Sequence, residues 1–414
     1  MKEEILKIEK LDHHGRGIGK INDKIIFVSY TIPSDEVVVK ITKEKKSFCE
    51  GTVVRYINKS KNHINQTCPY YGKCGGCDLR HMSYEEQLKF KQNKVNEIIT
   101  KFTNIKDIKI NEIIGSENQD NYRNKLTFKV DKKICLNKKS THEYIGVEEC
   151  KIASEKINKI IKIINNYDLN SISSIVLRSS YFTDDVMAIF YVKSGVKFNE
   201  NLSDLGKNVT TIVLKYSNKD FISYGKGNII ERLNDLSFKI SPTSFFQVNS
   251  KQTLNLYNLI LEKCKLSGGE IVYDLYCGTG TIGIYLSKFC KKVIGIEINK
   301  EAVKDANENV KINGIKNCEF YDGDVANFID IKKIKPDVIV VDPPRSGLDN
   351  STINNIIKLN PKRIVYVSCD PVTLARDLNI LNDKYNVCEI TPVDMFPQTY
   401  HVECVAVLDI KEKL

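Results

Sequence analysis

No apolar run in this sequence approaches the roughly 18 residues that a membrane-crossing helix needs, so a spanning chain is not expected. The opening, MKEEILKIEKLDHHGRG, has acids where a secretory leader needs a basic start and an uninterrupted apolar core, which points to the cytoplasm. Arginine is scarce, at nine of the 62 basic residues. The excess of 62 Lys+Arg over 52 Asp+Glu, a formal +10, favours a polyanionic partner only weakly, because abundant Lys, Asn and Ile also follow from a low-GC genome. Linkers rich in Pro and Gly, internal repeats and long low-complexity segments are missing too, so domain boundaries are soft. Cysteine is not missing. Thirteen thiols, an odd number, in a reducing compartment exclude a disulfide framework and leave metal binding, catalysis or burial to account for them. What remains is a globular composition, 42% hydrophobic and 28% charged, over 414 residues, enough for two or three domains of roughly 100–200 residues each.

Residues 1–58 alternate apolar and polar positions in EEILKIEKLD, GRGIGK, KIIFVSY, EVVVKITKEK and EGTVVRYIN, with Gly and Pro-Ser-Asp turns between them. This predicts a small antiparallel barrel, OB-like in size, of a kind that often binds single-stranded nucleic acid. An irregular stretch, CPYYGKCGGCDLRHMSYEEQ, leads into a helix from about Ser83 to Phe102, with Tyr84, Leu88, Val95, Ile98, Ile99 and Phe102 at helical spacing. Up to residue 240 the segments NKLTFKV, SIVLRSSY, VMAIFYVK, TIVLKYS and LSFKISP read as strands around one helix, SEKINKIIKIINNY, an α+β arrangement. From 241 the period changes. Apolar runs at 271–276, 292–298, 318–322, 337–342, 363–369, 386–393 and 403–410 alternate with helices from Thr281, from Lys300, near Asn350 and from Pro371. That alternation predicts a mainly parallel sheet of seven strands covered on both faces. The last two lack room for a crossover helix and must form an antiparallel hairpin at one edge.

The chemistry gathers where these strands end. DLYCGTG (274–280) closes the first strand, and its glycines, Gly278 among them, let backbone approach a ligand, although the spacing is not G-x-G-x-x-G. Glu297 closes the second, a position from which a carboxylate accepts hydrogen bonds from both hydroxyls of a ribose. DPPR (342–345) follows the fourth strand. Its prolines stiffen the loop and remove donors, leaving carbonyls and Asp342 to face a planar base. SCDP (368–371) sets Cys369 at the same rim as a nucleophile that needs activation, since an ordinary thiol is little ionised at neutral pH. Cys277 reads instead as a buried hydrophobe. His401 and Glu403, two residues apart on one face of an extended segment, can each move protons. Cys68-x5-Cys74-x2-Cys77 is too dense for core packing and reads as a metal centre, zinc or iron–sulfur, with Cys150 as a fourth ligand.

Together FFQVN, DLYCGTG, IGIEIN, DPPRSGL, VSCDPVTLARDL and FPQTYHVE, behind the barrel and the cysteine loop, resemble one family over essentially the whole chain. It is the class I S-adenosylmethionine-dependent RNA uridine-C5 methyltransferases, of the iron–sulfur type with an N-terminal TRAM barrel that acts on 23S ribosomal RNA. The resemblance implies a multidomain protein: a TRAM (OB-like) RNA-binding barrel at 1–58, a central α+β RNA-binding domain with the cysteine cluster at 59–240, and a Rossmann-like α/β methyltransferase domain at 241–414. The helix at 83–102 would pack on the last of these. It implies S-adenosyl-L-methionine held by Gln247, Tyr276, Gly278, Glu297, Asp324 and Asp342, with Glu297 at the ribose and Asp324 near the adenine. Cys369 would be the nucleophile, Glu403 the base, Arg123 an RNA ligand, and Gln398 stands where the family carries His or Gln. Cys68, Cys74, Cys77 and Cys150 would ligate a 4Fe–4S cluster. The implied partner is RNA with a single-stranded or flipped-out uridine, not DNA and not a membrane, methylated at C5 through a covalent Cys–C6 adduct. Competing readings are a transfer-RNA uridine-C5 methyltransferase, an amino-group methyltransferase, which needs no cysteine, and a non-catalytic ribosomal-RNA assembly factor. The oligomeric state cannot be read from the sequence.

Overall fold

A computed structural model describes residues 3–217, 219–328 and 334–412. Its contacts divide the chain into two compact units: Met1–Lys94, Leu136–Ile145 and Phe396–His401 form the first, and Val95–Cys135, Gly146–Met395 and Val402–Leu414 the second.

In the first unit, β1 (Glu3–Lys7), β2 (Lys10–Leu11), β3 (Gly17–Ile21), β4 (Lys24–Val28), β5 (Glu36–Glu44) and β6 (Phe48–Asn58) form one sheet in the order β1-β5-β6-β4-β3-β2. The period-two pattern puts Leu6, Ile8, Ile26, Val28, Val37, Val39 and Cys49 into a single core. The expectation of wholly antiparallel pairing is corrected at one place: β4 and β6 run parallel, from Ile25 opposite Phe48 to Val28 opposite Gly51. Successive strands reverse direction, so β6, on passing β5 and landing beside β4, must share its direction.

The helix α1 (Tyr84–Phe102) begins in the first unit and ends in the second. There Val95, Ile98 and Ile99 are buried in one cluster with Tyr273, Ile339 and Tyr366. After β7 (Lys109–Ile110) come β8 (Lys125–Asp131), β9 (Lys133–Asn137), β10 (Tyr144–Gly146), α2 (Glu155–Ile164), β11 (Ile172–Ser179), β12 (Val186–Val192), α3 (Ser203–Gly206), β13 (Thr211–Lys215) and β14 (Asp220–Tyr224). Their seven strands are ordered β10-β9-β8-β11-β12-β13-β14. The pattern missed β9, β10 and β14; β14 is exposed at every position, so it has no alternation to read. A hairpin of β15 (Ile229–Leu233) and β16 (Leu236–Ile240) then leads into α4 (Ser250–Cys264).

The remaining chain runs β17 (Ile271–Leu275), α5 (Thr281–Leu286), β18 (Lys292–Glu297), α6 (Lys300–Ile312), β19 (Cys318–Asp322), α7 (Val325–Phe328), β20 (Val338–Val341), α8 (Asn350–Leu359), β21 (Arg363–Ser368), α9 (Pro371–Leu381), β22 (Tyr385–Val393) and β23 (Glu403–Ile410). The sheet order is β19-β18-β17-β20-β21-β23-β22-β7, with β17 to β21 mutually parallel. The hairpin of β22 and β23 is antiparallel as expected, but β23 inserts beside β21, and β7 extends the sheet to eight strands instead of seven. Two residues of β7 carry no periodicity, so only the fold reveals it. Chain order reverses between β17 and β20, which opens a crevice at the carboxyl ends of both. Among the described residues no helix is long and apolar enough to cross a membrane.

Candidate active site

Loops from the ends of β17, β18, β20 and β21 meet at this crevice. After Leu275 the chain turns through Tyr276, Gly278 and Gly280, all with positive φ (64°, 53° and 75°). At Gly280 packing forbids a side chain, since an added Cβ would lie 2.7 Å from Phe320 and 3.0 Å from Ala306. At Gly278 an added Cβ would meet nothing within 4 Å, so here the backbone borders open space. The Glu297 carboxylate reaches this turn: Gly278 N donates to Oε2 at 3.1 Å and Asn299 N donates to Oε1 at 2.8 Å. Asn299 also caps α6, accepting from Glu301 N at 3.0 Å and Ala302 N at 3.3 Å, which holds the strand end in place.

Tyr276 is half-buried, its Oη 3.3 Å from Thr352 Oγ1, and burial pushes its phenol up. Asp324 is exposed on the turn after β19 and accepts from Ala326 N at 3.0 Å. Gln247 is half-buried before α4, with its backbone carbonyl accepting from Asn124 Nδ2 at 3.0 Å. Open glycine backbone beside a strand-end carboxylate is a donor and acceptor set suited to a nucleoside, so these residues fit the cofactor that the resemblance implies.

The reactive side is set by strand register. Ser368 of β21 pairs with Cys404 of β23, so the next residues along, Cys369 and Glu403, come opposite each other at the sheet's rim. Cys369 is half-buried and Glu403 is 5% exposed. Asp370 caps α9, accepting from Val372 N at 2.8 Å with Pro371 at the first helical position, which anchors the chain just after the thiol. Burial, then Glu403 and Asp342, push the Cys369 thiol up to about 12, while Arg345 opposes them. Burial and then Asp342 bring Glu403 up to about 8, again against Arg345. Burial alone carries Asp342 to about 7. The structure thus gathers Cys369, Glu403, Asp342 and Arg345 into one electrostatic cluster. Within DPPR nothing in the sequence assigns Arg345 a role of its own, because its influence on Cys369 and Glu403 arises through the fold.

Asp274, inside DLYCGTG, is a second such residue. It is fully buried; Oδ2 accepts from Gly283 N at 2.8 Å, and Oδ1 has no hydrogen-bond partner. Burial, followed by Asp342 and Glu297, carries its carboxyl to about 8. Folding therefore favours the protonated acid. That stabilisation is complete below the ordinary pKa near 4 and is lost as pH rises through 8. Thermal melts from pH 5 to pH 9 should show the midpoint of wild type falling by on the order of 3 °C relative to Asp274→Asn. Parallel curves for the two proteins would show that this carboxyl is not the titrating group.

Three expectations need comment. His401 lies two residues before Glu403, the first residue of β23, and its ring lies 4.3 Å from that of Tyr400 and 6.1 Å from that of Phe396. Arg123 forms isolated bridges with Ala153 and Asn249, and its Nε donates to Lys125 O at 3.1 Å. The 4Fe–4S cluster expected on Cys68, Cys74, Cys77 and Cys150 is not supported. Among the described residues no three His, Cys, Asp or Glu side chains are grouped to hold a metal ion, whereas such a cluster needs four thiolates. No site for the cluster is therefore seen among the described residues.

The sequence model of the family described as tRNA (Uracil-5-)-methyltransferase matches residues 83–411, and that of the TRAM domain matches residues 2–54. An uncharacterized RNA methyltransferase of Staphylococcus aureus is 37% identical, with 97% of this chain and 96% of that protein covered. One from Clostridium tetani is 38% identical, covering 97% and 95%. The crystal structure of Pyrococcus abyssi tRNA (uracil-54, C5)-methyltransferase in complex with S-adenosyl-L-homocysteine superposes with a TM-score of 0.79 at 29% identity, covering 98% of this chain and 100% of that one. On a family match over most of its length and relatives of this similarity from end to end, the chain belongs to the tRNA (uracil-5-)-methyltransferase family, carrying a TRAM domain at its N-terminus.

Proposed function

We propose that this protein methylates C5 of a uridine in 23S ribosomal RNA, with Cys369 as nucleophile and Glu403 as base. The observation that carries the reading is the β21–β23 register, which sets thiol and carboxyl opposite each other beside Asp342. Uracil C5 is a poor nucleophile. The Cys369 proton passes to Asp342 and on to solvent, sulfur bonds to C6, the C5=C6 electron pair becomes a C4=C5 bond, and the C4=O4 pair moves onto O4 as an enolate. Asp342 and Gln247 orient the ring, and Arg345 offsets the negative charge near the thiol. S-adenosyl-L-methionine, when bound, supplies the methyl group to C5 and departs as S-adenosyl-L-homocysteine. Gln247, Tyr276, Gly278, Glu297, Asp324 and Asp342 hold it, with Glu297 at the ribose and Asp324 near the adenine. Glu403 then takes the C5 proton, the C5=C6 bond re-forms and the thiolate leaves. A buried carboxyl whose pKa has risen to about 8 is matched to that proton.

The same value sets the pH dependence. Glu403 works as a base only when ionised, so where proton removal limits turnover, the rate should rise roughly tenfold from pH 7 to pH 9. A flat profile in stopped-time assays would remove Glu403 from this role. The uridine must be unpaired or flipped out to reach a recessed thiol.

The ribosomal target rests on the resemblance of the sequence motifs set out above; the N-terminal barrel does not separate the two targets, because the Pyrococcus transfer-RNA enzyme aligns over 98% of this chain. A second reading, a transfer-RNA uridine, is favoured by the description of the matching family and by the Pyrococcus structure. Mapping 5-methyluridine in a deletion strain separates them. Loss from 23S RNA supports the proposal, loss confined to transfer RNA supports the second reading, and loss from neither overturns both.

A further inference from the structure

We propose that Arg376 and Asp377 are positioning residues for the reaction: from α9 they hold in place the turn that carries Arg345 near the Cys369 thiol. This deepens the proposed function and rests on its assignment of Cys369 as nucleophile. Both residues belong to the ARDL end of VSCDPVTLARDL, a stretch to which neither cofactor nor uridine gives a task.

The turn is built from backbone. Gly347 N donates to Pro344 O at 2.9 Å, which closes a four-residue turn with Arg345 and Ser346 at its corners. Arg345 is exposed, so its place is set by this turn and not by packing around the side chain. The clamp grips the turn just beyond it. Arg376 Nη2 donates to Ser346 O at 2.9 Å and to Leu348 O at 3.0 Å, and Leu348 N donates to Asp377 Oδ2 at 2.8 Å. Polar groups on both sides of Gly347 are thereby taken up. Gly347 itself has a φ of 73°, and an added Cβ would stand 2.5 Å from Asp377 Oδ2 and 2.7 Å from Arg376 Nη2. Only a glycine lets the chain pass this close.

Asp377 is in no position to yield. Its side chain is fully buried and both oxygens are bonded: Oδ1 accepts from Arg376 Nε at 2.7 Å, and Oδ2 accepts from Tyr366 Oη at 2.7 Å as well as from Leu348 N. A buried charge so surrounded fixes the groups around it, because a shift of any of them leaves it uncompensated. Tyr366 lies in β21 two residues before Ser368, and Arg376 lies in the second turn of α9, the helix that starts at Pro371. The pair therefore ties the turn to the strand and the helix between which Cys369 stands.

What the turn delivers is positive charge. Burial, Glu403, Asp342 and Asp370 disfavour the Cys369 thiolate, and Arg345 favours it. A turn that drifts away leaves those carboxylates unopposed.

The test reads the thiol directly. Full-length protein is treated with iodoacetamide at alkaline pH without RNA or methyl donor, and alkylation of Cys369 is followed by peptide mass mapping, with Cys388, exposed on β22, as the reference. Alkylation should slow on the order of threefold in Arg345→Met, in Arg376→Met and in Gly347→Ala, since about a tenfold loss of thiolate is partly offset by the greater nucleophilicity of a more basic sulfur. The double variant Arg345→Met/Arg376→Met should be no slower than Arg345→Met, because the clamp acts through that arginine. Gly347→Ala keeps both charged residues and carries the test if Arg376→Met, which strands Asp377, does not fold. A rate at or above wild type in either folded variant would overturn the proposal, as would effects that multiply in the double variant. Since no substrate is present, this result stands apart from the proposed activity, which methyl transfer by Cys369→Ala tests separately.

Discussion

Glu403→Gln should turn the protein into a trap for its own substrate. Incubated with RNA and methyl donor, the variant should accumulate a denaturant-resistant RNA–protein species approaching one RNA per chain, while turnover falls by roughly 10²–10⁴. The reason lies in the order of bonds. Addition of Cys369 and methylation of C5 do not need a base at Glu403, but release does, because the C5 proton must leave before the sulfur can. Glutamine preserves the shape of a side chain that is 5% exposed while removing its basicity. The adduct is read by gel electrophoresis and by mass. If Glu403→Gln turns over normally, or never forms the adduct, Glu403 is not the base.

Replacing Cys369 with Ala should have a larger effect of a different kind. Turnover should fall below detection and no adduct should form, even when the exchange is combined with Glu403→Gln. Binding of S-adenosyl-L-homocysteine should survive, because the Gly278–Glu297 contact of 3.1 Å is built from the ends of β17 and β18 and not from β21. Titration calorimetry reads the binding and tritiated-methyl transfer the activity. An amino-group methyltransferase would tolerate the exchange, since its acceptor nitrogen needs no sulfur adduct. Persistent activity in Cys369→Ala would therefore end the covalent reading and leave the cofactor site standing.

Much of the second unit was legible because parallel strands covered on both faces must be continuously apolar, and Val338–Val341 is buried throughout. Where such runs stop at DLYCGTG, Glu297, DPPR and SCDP, the chemistry is exposed by default, so strand ends doubled as site predictions. The cysteine loop shows the opposite case. Dense spacing of Cys68, Cys74 and Cys77 pointed to a metal, yet spacing does not tell whether thiols converge, and among the described residues no metal-holding group is formed. Asp274 and Arg345 are illegible for a related reason: their influence on the site depends on burial and proximity, which the motifs around them do not encode.

The sequence by itself determined the alternation of strands and helices from residue 271 onward and the residue types at each strand tip, because burial and helix capping are local demands that any matching chain must meet. Only the tertiary structure decided the parallel contact of β4 with β6, the attachment of β7 to β22, and the insertion of β23 beside β21. The last of these matters most. Cys369 and Glu403 are separated by a helix, a strand and a loop, and it is the hydrogen-bond register between two antiparallel strands that brings them face to face. Pairing of that kind depends on which edges of the sheet remain open when the strands assemble, a property of the whole assembly that no local pattern encodes.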